Sequence, residues 1–233
     1  LSLIYFYLLT KNFDFPKFKF KSKIVVFFLK KSFPLLLSGI FVTIYMRIDQ
    51  LMLGNILGNF SLGIYSTAVK ISETSYIIPT VIVSSFFPSL IKSKKNNLNY
   101  YKRIKVLLLM LLIVSILLSF ICSTFAFNIF QLLFKSDFIS SIDSFNLLIW
   151  SSVFISISVV LNSVFIIEKK EIYIFFSTMI GAITNICFNL LLINKVGVTG
   201  AAISTLISYF VSSVLIFLFF SNTREIILKI IKS

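Results

Sequence analysis

Four charged residues lie where charge is expensive. Arg47, Asp49, Lys70 and Glu73 all fall inside long apolar runs of a 233-residue chain. On insertion scales such a residue costs roughly 2.5–3.5 kcal/mol at the bilayer centre. Residues of this kind pair with one another or line a polar cavity, so a functional site is the first hypothesis. Spacing sharpens it. At about 100° per residue, Ser66, Lys70, Glu73, Ile77, Thr80 and Ser84 share one helical face. Arg47 and Asp49 are two residues apart, point to nearly opposite faces and do not pair within their own helix. The short connection at 54–62 makes the two helices antiparallel neighbours, which puts Asp49 near Lys70 and Arg47 near Glu73. Two readings follow. In one, the charges only neutralise each other and fix helix register. In the other, Arg47, Asp49, Lys70, Glu73, Ser66 and Thr80 line a cavity for a polar or anionic substrate. The stripe continues past the charges, which pairing alone does not require, and this favours the cavity.

Later runs carry weaker polar faces. Ser151, Ser158 and Asn162 share one, and Gly181, Thr184, Asn185 and Asn189 share another. Small and amide residues commonly join membrane helices, so packing is preferred over substrate contact, with a secondary cavity as the other reading. Gly197, Gly200, Ala201 and Ala202 read as a tight turn and a close-packed helix start. Tyr65 and Tyr76 read as packing or interfacial residues. Asp137 and Asp143 fall at one end of a later run, and Asp143 suits a helix N-terminus, where it complements the dipole.

Other chemistry has no residues to support it. There is no His, so His-based acid–base catalysis and His metal sites are excluded. Neither a phosphate-cradling G-x-x-x-x-G-K-[ST] loop nor a dinucleotide glycine pattern occurs, and no cofactor is expected. Cys122 and Cys187 lie in apolar runs, which argues against a disulfide framework or a metal site. The reading is a protein that is not an enzyme.

The elements that position these residues follow from composition. Apolar types make up 58% of the chain, charged types 13%, and mean hydropathy is +1.02. Ordinary soluble domains are nearer 45–50% and 25%, so a soluble globular enzyme and a disordered tail are both excluded. A spanning helix needs about 20 apolar residues. Six segments qualify, near 33–53, 63–91, 104–130, 142–167, 171–193 and 198–220. The expected fold is all-α, a polytopic membrane helix bundle. Its parts are the end of a truncated helix at 1–10, a basic segment at 11–32, a six-helix lobe at 33–220 and a tail at 221–233. The chain opens on Leu1 inside an apolar run, which reads as a fragment. Lysines follow that run rather than precede it, unlike a secretory signal.

Lys and Arg sort by side. The stretches 11–31, 92–105, 168–170 and 221–233 carry 18 of them, and 54–62, 131–141 and 194–197 carry 2. Positive charge resists translocation, so the rich side and the C-terminus are assigned to the cytoplasm. The net charge of +14 then points to a membrane rather than to nucleic acid. In 11–32, lysines interleave with Phe13, Phe15, Phe18 and Phe20. This suits an amphipathic segment on anionic headgroups better than a solvated linker. Pro34 is placed in the first turn of its helix, and Pro79 is expected to kink the second span.

One run of residues is familiar. Ile44–Gly54 (IYMRIDQLMLG), Gly63–Glu73 (GIYSTAVKISE) and Phe86–Leu90 (FFPSL) closely resemble the second half of polysaccharide (O-antigen) flippases, of the multidrug/oligosaccharidyl-lipid/polysaccharide exporter superfamily. Asn189–Ile193 followed by Gly197–Leu206 matches a more widely shared pattern, and the resemblance covers about 33–220. It implies one lobe of a two-lobe transporter that flips a polyprenyl-diphosphate-linked oligosaccharide across the bacterial inner membrane by alternating access. Arg47 and Lys70 would attract diphosphate or acidic sugars, and Asp49 and Glu73 would balance them or titrate. The implied partners are the bilayer, the lipid-linked O-antigen, capsule or lipopolysaccharide precursor, a missing N-terminal lobe and other polysaccharide-assembly membrane proteins. Alternatives are another antiporter or lipid-precursor flippase of the superfamily, a non-transporting fragment, and a membrane-embedded assembly enzyme. The last is disfavoured because it would be expected to show a large outer loop or an intramembrane His.

Overall fold

The computed structural model describes residues 22–94, 97–134 and 138–233. Residues 1–21, which take in the segment 1–10 and the first half of 11–32, lie outside the described residues, as do Lys135 and Asp137. The chain forms two units, 1–33 and 34–233. In the first, residues 22–33 are helical, with Lys23 and Lys30 interleaved with exposed Val26, Phe27, Phe28 and Leu29.

The described residues are almost entirely helical and contain no strand. Helix α1 is Ser22–Ser75, α2 Ile77–Ser93, α3 Asn97–Thr124, α4 Ala126–Phe134, α5 Ile142–Ile149 and α6 Ser151–Ile167. Then come α7 Glu171–Val196, α8 Val198–Phe210, α9 Ile216–Phe219 and α10 Ser221–Lys232. Helical backbone precedes Pro34, which is therefore interior to α1 and not in a first turn as expected. The apolar stretch around it propagates helix on both sides, and one lost N–H bond is not enough to stop it.

Five helical stretches are long and apolar enough to cross a membrane: Ser32–Ser93, Asn99–Thr124, Ile139–Ile167, Glu171–Val196 and Val198–Phe219. The first, at 62 residues, would measure ~93 Å if straight, about three bilayer cores. It is not straight. Gly58 has φ 85° and ψ 176°, a conformation favoured by glycine, and the chain folds back there. Arg47 reaches Glu73, 26 residues on, at 3.4 Å. The first stretch thus supplies the first two expected spans as a hairpin. Its second arm breaks at Tyr76, just after Ser75. Pro79 lacks the N–H that would bond Ser75, and its ring crowds that carbonyl.

The basic connections converge on one end of the second unit. Lys94 Nζ donates to the Ile167 carbonyl at 2.7 Å and pairs with Glu168 at 3.4 Å. Lys105 Nζ reaches the Ile231 carbonyl at 2.7 Å, and Lys170 Nζ the Asn222 carbonyl at 3.3 Å. At the other end, Ser141 Oγ donates to the Ile64 carbonyl at 2.8 Å. The sorting of charge along the sequence is therefore a sorting in space.

Apolar clusters occupy both ends. Tyr100, Ile104, Phe165, Phe217 and Ile230 fill the basic end, and Leu53, Phe130, Phe145, Ile193 and Ala201 the other. Between them, helix contacts are close and hydroxyl-rich. Ser115 meets Ser156 at 2.5 Å, and Ser119 donates to the Ile149 carbonyl at 2.9 Å. Gly181 packs so closely on Ser212 that an added Cβ would lie 2.9 Å away. Gly197, at φ 72°, makes the turn between α7 and α8, and a Cβ on Gly200 would collide with the Leu192 backbone. Apolar side chains such as Ile113, Leu117, Phe120 and Ile121 stay exposed on α3, as a lipid-facing surface requires.

Two outcomes are expected. Gly200→Val lowers thermal stability in detergent, by about 1–3 kcal/mol or more, because backbone cannot yield as a side chain can. In a chain lacking Cys122 and Cys187, an impermeant maleimide labels a cysteine at Asn59 and one at Asn222 from opposite membrane faces. Labelling of both from one face contradicts the two-ended arrangement.

Candidate functional site: a two-faced charged hairpin

The hairpin of α1 divides the polar residues between two surfaces. Arg47 points outward, its side chain 51% exposed, and pairs with the less exposed Glu73. Lys70 lies one turn before Glu73 on the same face and is exposed. Thr80 and Ser84 continue that face outward beyond the break at Tyr76, and Ser66 sits half-buried at its other end. Thr80 returns its hydroxyl to the Tyr76 carbonyl at 2.8 Å.

Asp49 faces the opposite way and is buried. Tyr65 OH and Thr205 Oγ1, the latter at 3.1 Å, both donate to Oδ2, and the Gln50 N–H donates to Oδ1 at 2.8 Å. A second layer supports the first. Asn185 Nδ2 donates to Thr205 Oγ1 at 3.3 Å, and Asn189 Nδ2 to Asn185 Oδ1 at 2.9 Å. Thr205 Oγ1 also lies 3.0 Å from the Ala201 carbonyl of its own helix, and Asn185 Nδ2 3.5 Å from Ser208 Oγ. Among the described residues, no ion pair is made to Asp49.

The expected Asp49–Lys70 pair therefore does not form. Lys70 is on the outward face of its helix, and hydroxyl donors occupy Asp49. The expected Arg47–Glu73 contact is present. Asn185 and Asn189 sit inside the bundle, and Asn162 is apart from both, donating to Ser158 Oγ at 3.3 Å. Asp143 is in the first turn of α5. Tyr65 and Thr205 are the residues that sequence reasoning missed. Tyr65 had a usable signal: folding at Gly58 brings it opposite Asp49. Thr205 had none, being one hydroxyl among many.

Beside Asp49 lies a small cavity of about 10 Å³, walled by the polar Asp49, Tyr65, Glu73, Tyr76, Thr205 and Tyr209 and by the apolar Met46, Val69 and Leu148. That is near the space one water needs. Above it, Tyr209 packs edge-on against Tyr45 at 5.2 Å and Tyr76 at 6.2 Å. A carboxylate, a second carboxylate at the wall and hydroxyl oxygens around a single small void can hold a proton or one small cation. No cluster of three or more metal-ligating side chains occurs among the described residues.

The architecture matches known transporters. The chain aligns with a MATE structure in the straight conformation at TM-score 0.75 and 17% identity, covering 84% of this chain and 45% of that one. The same protein type in the bent conformation gives 0.72 and 19%, with the same coverage. A MOP superfamily transporter from Pyrococcus furiosus, described as having a binding pocket of reverse polarity, gives 0.69 and 17%, covering 88% and 50%. The chain thus shares its fold with part of these structures and spans about half their length. Residues 1–94 match the family described as polysaccharide biosynthesis protein. That segment contains the whole charged hairpin. The family match covers less than half of the chain, and the structural likeness is one of fold. No curated protein matches the chain.

If the Asp49 network acts as a unit, its losses are not additive. Asp49→Leu leaves buried hydroxyls unpartnered and destabilises by ~1–3 kcal/mol. Adding Tyr65→Phe to that variant costs less than Tyr65→Phe alone, with a coupling of ~0.5–3 kcal/mol by denaturant titration in detergent. Additive losses would mean the two side chains are energetically independent.

Proposed function

We propose that this chain is one lobe of a flippase for a polyprenyl-diphosphate-linked oligosaccharide, an O-antigen, capsule or lipopolysaccharide precursor. The observation that carries the reading is the outward face of the hairpin. Arg47, Lys70, Glu73 and Thr80 lie on the outside of the bundle, where lipid contact would cost several kcal/mol. A polar cavity relieves that cost. Its opposite wall comes from a second lobe, in the same polypeptide or in a separate one, as the roughly half-length match suggests. Arg47 and Lys70 give the cavity donors for diphosphate or acidic sugar, and Glu73 holds Arg47 in place. Alternating access moves the headgroup across as the lobes rock about the site, with no covalent step.

Asp49 serves a different purpose in this reading. It lies on the bundle side of its helix and binds a proton or small cation in the void beside it, whose wall it shares with Glu73. Occupation there changes the charge between α1, α7 and α8, and so biases how these helices pack. The excess of Lys and Arg at one end supports a bacterial inner-membrane placement with a cytoplasmic C-terminus. An antiporter of cationic drugs is the second reading, favoured by the MATE fold.

The test is leaflet transfer of a fluorescent lipid-linked oligosaccharide in vesicles that hold the assembled transporter. Arg47→Gln with Lys70→Gln lowers the rate roughly 10–100-fold at unchanged protein level, as loss of charge-assisted contacts predicts. Asp49→Asn removes the dependence on the driving ion gradient. Uptake of a cationic dye with no lipid transfer overturns the flippase reading in favour of the antiporter.

A further inference from the structure

At the basic end of the lobe, a cleft of about 430 Å³ opens between the end of α2 and the start of α3. Its walls are apolar: Phe86, Leu90, Val106, Leu107 and Met110. Its rim carries Lys102 and Arg103. A second, shallower groove adjoins it through the shared Ser89 and Arg103, and adds Lys92. No acidic residue lines either. Arg103 Nη1 donates to Ser89 Oγ at 2.9 Å, which ties the guanidinium across from α3 to α2 at the junction of the two spaces.

The arrangement has a direction. Along α3, Lys102, Val106 and Met110 succeed one another at four-residue intervals, so one stripe runs from charge to hydrocarbon. Phe86, Val106 and Met110 are 47%, 59% and 37% exposed, so the apolar part opens onto the surface that lipid tails would cover. The volume falls within the range of roughly 300–1,000 Å³ typical of small-molecule sites. Basic pockets between spanning helices suit anionic lipid headgroups.

We propose that this cleft binds an anionic membrane phospholipid. Its phosphate sits at Lys102 and Arg103, with Lys92 beside them, and an acyl chain lies between Phe86 and Met110. A soluble phosphate would use the cations and leave the apolar walls unused. A neutral lipid would use the walls and leave three cations without an anion. Only a molecule with both parts matches both. The site is separate from the Arg47–Lys70 face, and the inference does not depend on what that face transports.

Native mass spectrometry of the intact protein in detergent tests this. With phosphatidylglycerol and phosphatidylcholine at equal concentration, the former is retained in excess. Lys102→Gln with Arg103→Gln lowers its retention roughly ten- to thirty-fold. Val106→Trp fills the apolar part with the charges intact, and lowers it as well. Lys229→Gln removes an exposed charge at the same end, outside the cleft, and leaves retention unchanged. Three results overturn the proposal: equal retention of the two lipids, displacement by glycerol 3-phosphate as effective as by phosphatidylglycerol, or an effect of Lys229→Gln as large as that of the double variant.

Discussion

A carboxylate buried in a membrane lobe must find its donors inside the protein, because the surrounding hydrocarbon offers none. Asp49 meets that requirement with Tyr65 from the same hairpin, Thr205 from α8 and the backbone N–H of Gln50. The demand propagates outward. Thr205 has to be oriented, and Asn185 orients it; Asn185 in turn is held by Asn189. The first hairpin and the last helices are thereby joined by polar contacts as well as by packing. Such contacts are few in hydrocarbon and specific in geometry, so they fix register in a way that apolar contact alone does not.

The same constraint explains why the hairpin has two characters. A helix that carries a buried acid on one side and an exposed arginine on the other cannot lie against lipid all round. One face belongs to the bundle, and the other carries its charges outward. Around this, the remaining helices meet through small residues and hydroxyls. Gly181 against Ser212, Gly200 against the Leu192 backbone, and Ser115 against Ser156 allow the close approach on which the polar network depends. The apolar clusters at the two ends frame this central layer.

Two kinds of basic residue separate in the structure. Lys94, Lys105 and Lys170 tie connections together at one end of the lobe, each donating to a backbone carbonyl on another element. Lys102 and Arg103 instead stand at the mouth of an apolar cleft. Arg47 and Lys70 are different again, since they lie within the hydrophobic span. Net charge of +14 is therefore spread over three settings: connections at one end of the lobe, the mouth of an apolar cleft, and the hydrophobic span itself.

Much of this was legible in the sequence. Hydropathy marks the spans, because a bilayer imposes a length on any helix that crosses it. The distribution of lysine marks the two ends, and residue spacing alone puts Arg47 and Asp49 on opposite sides of one helix. Pro79 announces the break next to it. Pro34 shows the limit of such rules, since helix continues on both sides of it. What the sequence could not decide is which side of the first helix faces inward, and hence that Asp49 turns from Lys70 to Tyr65 and Thr205. That choice depends on how α8 packs against the hairpin, 156 residues away from Asp49 in the chain. No local pattern encodes a contact of that range. In the sequence Thr205 looks like the many hydroxyls that return a bond to their own helix, and it does lie 3.0 Å from the Ala201 carbonyl. Only the packed bundle also brings it within 3.1 Å of a buried acid.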